Sequence, residues 1–194
     1  NNKGTLELRN IGIASEYLPK KFIIKEGIFK INQDKMSFNN FLAAYGQSDF
    51  KMNGYLQNVF NYVSTNTGVL KGSFKVTSRY INVNEFMSEV DPNTSVKHTS
   101  TTETKQSENA QTGVIIIPNN LNLQLLANAQ KVNFDKLNLQ NATGHLTMKN
   151  GKLTMQNTGF NLIGCKVSMN ANYQAVTPQK ANFDYAIKAT DFDI

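Results

Sequence analysis

The sequence predicts an all-β protein: a mostly antiparallel meander forming an elongated, curved sheet or groove from two tandem repeats, with one short helix near residues 84–90. Three observations carry this. Apolar residues recur with period 2, as where Cys165, Val167, Met169, Ala171 and Tyr173 alternate with Lys166, Ser168, Asn170 and Asn172, and successive strand side chains point to opposite faces. The chain matches itself at a shift of 117 residues. Helical spacing is confined to two short stretches.

In the first unit, read over residues 1–90, Leu6 and Leu8 open an alternating run, and Gly27-x-Phe29-x-Ile31 leads through Gln33-Asp34 into Lys35-Met36-Ser37-Phe38. Phe38, Phe41, Leu42 and Tyr45 have helix spacing. Their counterparts near Gly159 and Phe160-x-Leu162 do not, so the repeat argues for strand in both copies. Phe50-x-Met52-Asn53-Gly54 continues the pattern, and a loop longer than that of the second copy precedes Phe74-x-Val76. Val83, Phe86, Met87 and Val90 then follow i, i+3, i+4, i+7, with Asn84 as N-cap and Asp91-Pro92 as stop.

Residues 91–112 hold no aromatic residue and are mostly Ser, Thr and charge. Such a stretch cannot bury enough surface to offset its ordering entropy, so it reads as a flexible linker. The second unit, residues 113–194, repeats the first. Gly144-x-Leu146-x-Met148 and Leu153-x-Met155 flank Asn150-Gly151, a dipeptide that accepts the positive φ of a type I′ hairpin turn. Beyond the longer loop the shift becomes 109, placing Phe74 on Phe183 and Asn82-Val83-Asn84 on Asp191-Phe192-Asp193. Six or seven strands per unit are expected.

Composition narrows the function. Hydrophobic residues are 40% and charged residues 18%, which excludes a membrane bundle and a wholly disordered chain. The longest apolar run, residues 114–117, stops at Pro118, far short of a bilayer span. One Cys forbids an internal disulfide, and two His cannot make a four-ligand zinc site. Neither His98, in the linker, nor His145, opening a strand, has an orienting partner in sequence, so no catalytic residue, metal ligand or cofactor is expected. Cys165 falls on Ser48 in the repeat and reads as a small core residue. Asp184, Asp191 and Asp193 cluster near the end, and Asp191 and Asp193 read as strand-end and capping residues, because the first copy carries Asn82 and Asn84 there. The net charge of +6 is spread singly along strands. Phe50, Phe74, Phe134 and Phe183 lie on the apolar face and Lys51, Lys75 and Lys166 on the other, which argues against nucleic acid.

An apolar sheet face must be buried against something. A second sheet would give a compact β-sandwich, a binding module for protein or glycan at the cell surface. An open curved sheet would instead leave its oily side for an apolar ligand. The residues that would line such a groove are Phe29, Ile31, Met36, Phe38, Phe50 and Met52 in the first copy, and Leu123, Leu125, Leu146, Met148, Leu153, Met155, Val167 and Met169 in the second. Taken singly, each also fits an ordinary core.

The run Asp135-Lys136-Leu137-x-Leu139, the hairpin around Asn150-Gly151, Leu162-x-Gly164-Cys165-Lys166-Val167-x-Met169-x-Ala171-x-Tyr173 and the closing Asp191-Phe192-Asp193-Ile194 resemble the AsmA-like family of Gram-negative, Bacteroidetes-type envelope proteins. Asn82-Val83-Asn84-Glu85-Phe86-Met87 matches the closing element in the first copy. Cys165 and Ala171 depart from glycines of the pattern, and Gly54 supplies the latter in the first copy. The resemblance implies a non-enzymatic periplasmic segment of a protein anchored in the inner membrane. It implies kinship with repeating β-groove lipid-transfer proteins, a phospholipid or other acyl-chain ligand, and other envelope proteins as partners.

Overall fold

The computed structural model describes residues 3–65, 67–87 and 114–191. The ten described strands form a single sheet in chain order: β1 (Lys3–Ser15), β2 (Leu18–Asn32), β3 (Lys35–Tyr45), β4 (Ser48–Gln57), β5 (Leu70–Asn82), β6 (Leu121–Phe134), β7 (Leu137–Lys149), β8 (Lys152–Leu162), β9 (Cys165–Thr177) and β10 (Lys180–Thr190). Among the described residues β1 pairs only with β2 and β10 only with β9, so the sheet is open, roughly 43 Å across at the usual strand spacing. The sandwich alternative is not formed.

Among the described residues each unit has five strands rather than six or seven. The strands are longer than that number assumes, and β2 alone spans 15 residues. Within each unit every pairing is antiparallel, and β3 is strand, as the repeat argued. Within each unit two-residue turns join successive strands, except between β4 and β5; at Asn150-Gly151 both φ angles are positive, 52° and 73°.

The units meet through a parallel pair. Leu70 lies beside Leu121 and the ladder runs in register to Asn82 beside Asn133. Parallel neighbours need a long return connection, and residues 83–120 supply it. That gives the polar stretch at 91–112 a topological task; its own structure lies outside the described residues.

The helical elements differ from expectation. A 3₁₀ turn covers Val83–Phe86, capped by Asn82, whose Oδ1 accepts from the Asn84 N–H. Asn84 does not cap because its amide is used elsewhere: Oδ1 accepts the Asp135 N–H at 2.7 Å and Nδ2 donates to the Asp135 carbonyl, tying the turn to the end of β6. Residues 88–90 of the expected helix lie outside the described residues. The unanticipated α1 (Val59–Ser64) occupies the longer loop of the first unit.

The repeat extends to a backbone irregularity. In β3, Asn39 and Asn40 together face Asn53 of β4; in β8, Gln156 and Asn157 face Asn170 of β9, 117 residues on. The second bulge residue is left-handed in both copies, φ 53° at Asn40 and 49° at Asn157, a conformation Asn tolerates better than other side chains do. Its N–H would lose its partner at the bulge. Instead Asn53 Oδ1 accepts it at 2.7 Å, and Asn170 Oδ1 accepts the equivalent at 2.9 Å. Such bulges bend a strand and increase its twist. Asn is 27 of the 194 residues, and these four hold the bulges rather than merely solvating a face.

One acidic residue ties β4 to the far end of β5. Asp49 accepts the N–H groups of Tyr80 and Arg79 at 2.9 and 3.1 Å and the Arg79 guanidinium at 3.3 Å. Partial burial works against the charge, but those donors outweigh it and hold the carboxyl below its ordinary value. The resulting stability is present above the unfolded pKa and lost as pH falls through the lower folded one. Acid unfolding should therefore show a loss below about pH 4 that Asp49→Asn flattens. Separately, Asn53→Ala or Asn170→Ala strands a bulge N–H and should cost about 1 kcal/mol in urea unfolding.

Candidate functional site

Cross-strand register brings the candidate residues onto one face. A row runs Leu6, Phe29, Phe38, Gly54, Phe74, Leu125, Leu146, Met155, Ala171, Tyr185, each directly beside the next from β1 to β10. A neighbouring row runs Ile31, Met36, Leu56, Gly72, Leu123, Met148, Leu153, Tyr173, Phe183. Phe50 pairs with Ala43, Met52 with Phe41 and Val76, Val167 with Phe160, and Met169 with Thr158. All fourteen sequence-derived candidates therefore share one apolar surface.

The alternation would break at the bulges if strand geometry were uniform. Ile24 and Phe29, and likewise Phe38 and Phe41, are separated by odd numbers of residues yet belong to one buried cluster. The irregularity at each bulge resets which residues face the core, so the oily side stays oily along the whole strand.

The two units fill this face differently. In the first, Phe29, Phe38 and Phe41 pack ring to ring at 5.3–5.7 Å, and Phe74 lies 5.9 Å from Phe38. Phe29, Met36 and Phe38 are buried there, while Ile31, Phe50 and Met52 pack half-buried around them. Gly27 is required beneath Phe41, because a Cβ there would stand 2.5 Å from the ring. Val59 of α1 packs against the same cluster. The 3₁₀ turn closes the other end: Phe86 stacks on the fully buried Tyr45 at 4.3 Å, and the Tyr45 hydroxyl donates to the Glu85 carbonyl. Lys20 and the Gln47 N–H hold the Glu85 carboxylate at 2.6 and 2.8 Å.

In the second unit the positions of Phe29, Phe38 and Phe41 are Leu146, Met155 and Thr158. Smaller and more flexible side chains replace the ring cluster. Leu123 and Val167 are buried, but Leu125, Leu146, Met148, Leu153, Met155 and Met169 keep part of their surface accessible. The ladder places Tyr185, not Phe183, in the position of Phe74, since Gly54 pairs with Phe74 and Ala171 with Tyr185. A period-2 pattern looks the same after a slip of two, which is why the sequence shift of 109 misses by two residues. Tyr185 is 61% exposed, whereas Phe74 packs into the ring cluster of the first unit.

In sequence, residues 114–117 are merely an apolar run too short to span a bilayer. Val114 and Ile117 are buried, and the Ile115 N–H donates to the Tyr173 hydroxyl at 2.8 Å, so the segment lies over one end of the second unit's apolar side. Burial pushes the Tyr173 phenol up, more than that hydrogen bond lowers it.

The polar side is chemically plain. His145 is exposed and faces Gln156, His98 and Asp193 lie outside the described residues, and Lys166 pairs with Asp191 at 2.9 Å. No group of three potential metal ligands occurs among the described residues. Cys165 is half-buried where Ser48, 1% exposed, stands in the first unit. A depression lined by Thr147, Lys149, Lys152 and Gln174 lies on this side, away from the candidate residues. Among the described residues no helix is long and apolar enough to cross a membrane.

Thr158 marks the contrast between units, because its hydroxyl oxygen is buried beside Gly144 with no hydrogen-bond partner. An unsatisfied buried hydroxyl costs about 1–3 kcal/mol. Thr158→Val keeps the shape and removes the orphan, and should raise the melting temperature by about 2–4 °C. No protein-family model, curated protein or solved structure matches the chain.

Proposed function

We propose that this chain is a periplasmic segment of an AsmA-like envelope protein, non-enzymatic, that handles phospholipid along its apolar sheet face during outer-membrane assembly. The observation that carries this reading is the continuous apolar face running over all ten strands, filled by the chain's own rings in the first unit and left partly accessible in the second. An acyl chain laid along it gains about 0.8 kcal/mol per buried CH₂. Sliding needs no directional bonds, and the accessible half offers Leu and Met, side chains that repack around irregular apolar shapes. The polar face, rich in Asn, Thr and Lys, keeps the opposite side wetted. The inner-membrane anchor and the envelope partners of the parent protein belong to this proposal through the sequence resemblance.

The test is transfer of a fluorescent phospholipid between vesicles, with extraction of lipid from the purified chain. Wild type should carry lipid and accelerate transfer. Met155→Glu, on the accessible half, should lower transfer about tenfold, the effect of ~1.4 kcal/mol. Asn172→Glu, on the polar face, should leave it unchanged. Absence of lipid from extracts together with no transfer would overturn the reading.

A further inference from the structure

We infer that the outer edge of β10 is a docking edge for a parallel strand of the β6 type, and that β1 of a second copy of this chain fits it, joining copies head to tail into one continuous sheet.

The junction between β5 and β6 sets the pattern. There two units meet through a strand ladder alone, and residues on the apolar side sit in facing pairs: Gly72 with Leu123, Phe74 with Leu125, Val76 with Ala127. The ladder also fixes which strands are equivalent. β10 stands where β5 stands, because Met52 pairs with Val76 as Met169 pairs with Ile187. β1 stands where β6 stands, because Leu125 pairs with Leu146 as Leu6 pairs with Phe29, and Leu146 is the repeat counterpart of Phe29. The β10 edge therefore presents what β5 offers to β6, and β1 presents what β6 offers to β5.

Carrying the junction's register across places Phe183 beside Gly4, Tyr185 beside Leu6 and Ile187 beside Leu8. Large faces small at the first pair, where a Cβ on Gly4 would have nothing within 4 Å, so the ring has room. On the polar side Asp184 falls beside Thr5 and Ala186 beside Glu7. Lys188 falls beside Arg9, whose charge Glu7 already neutralises at 2.7 Å.

Exposure supports the same edges. Phe183, Tyr185 and Ile187 are 44%, 61% and 53% exposed and Leu6 is 39%, whereas Val76, the internal counterpart of Ile187, is 7%. Apolar rows covered at the internal junction are open at both rims, beside backbone groups with no neighbouring strand among the described residues. Strand addition of this kind takes its affinity from the ladder and its specificity from alternate side chains. Because different edges meet, assembly is open-ended rather than a closed dimer.

The experiment uses the 194-residue chain with Cys165→Ser, the residue its repeat counterpart Ser48 already is. Sedimentation velocity should show growth beyond dimer as concentration rises. Tyr185→Lys and, separately, Leu6→Lys should each weaken association about tenfold or more, with circular dichroism confirming the fold of each. Leu6→Cys with Tyr185→Cys should give a disulfide-linked ladder, since strand neighbours lie within bridging distance. Leu6→Cys with Ala189→Cys should not. A monomer at every concentration, a dimer that grows no further, or equal cross-linking of both cysteine pairs would each overturn the inference. None of these readouts involves lipid, so this test and the transfer assay fail independently.

Discussion

The constraint on which this structure depends is that ten successive strands must present their oily side chains to the same side of one sheet. A single-residue slip in any strand would send its Leu, Met and Phe residues into water and its Asn and Lys residues inward. Two-residue turns set the register at each hairpin, and bulges reset it in mid-strand. The bulge at Asn40 is held by Asn53, and the bulge at Asn157 by Asn170. Without the left-handed asparagine and the amide that receives its N–H, Phe38 and Phe41 could not both lie on the apolar side.

From that shared frame the two units diverge in their side chains and in the α1 loop, which among the described residues only the first unit carries. Phe29, Phe38 and Phe41 build an aromatic cluster on the first unit's face, with Val59 of α1 packed against it and Phe86 stacked on Tyr45. Leu146, Met155 and Thr158 at the matching positions leave the second unit's face less filled, with residues 114–117 over one end. The first copy's rings fill its share of the face, and the second copy leaves more of its apolar surface accessible. The parallel junction fuses them without interrupting the face, because Phe74 sits beside Leu125 as directly as neighbours within a unit do.

Much of this was legible in the residues. The alternation at Cys165, Val167, Met169, Ala171 and Tyr173 reports strand and face together, and Asn150-Gly151 reports its hairpin. The shift of 117 settled the helix-like spacing of Phe38, Phe41, Leu42 and Tyr45 as strand, which local spacing alone would not have done. That odd spacing was in fact the trace of the bulge. Other features were hidden for physical reasons. Alignment of β5 with β10 is blind to a slip of two, so Phe74 was matched to Phe183 rather than Tyr185. The parallel junction depends on where the return connection delivers the chain, which no local pattern records. Asn84 reads as a cap until its tertiary partner, the backbone of Asp135, is in place. The burial of Phe29 and Phe38 against the accessibility of Leu146 and Met155 follows from ring packing among four strands, which pairwise spacing cannot rank.

Under the proposed function the apolar side of the second unit meets acyl chains while the polar side does not. Met155 and Gln156 are adjacent in sequence, with Leu146 and His145 as their respective cross-strand partners, so they sample the two faces at one place on the sheet. The most direct measurement puts a photo-activatable amino acid at each position in turn, in the presence of phospholipid vesicles. Lipid adducts are expected from position 155 and none from 156. Equal adducts from both positions, or none from 155 in a correctly folded chain, would contradict that function.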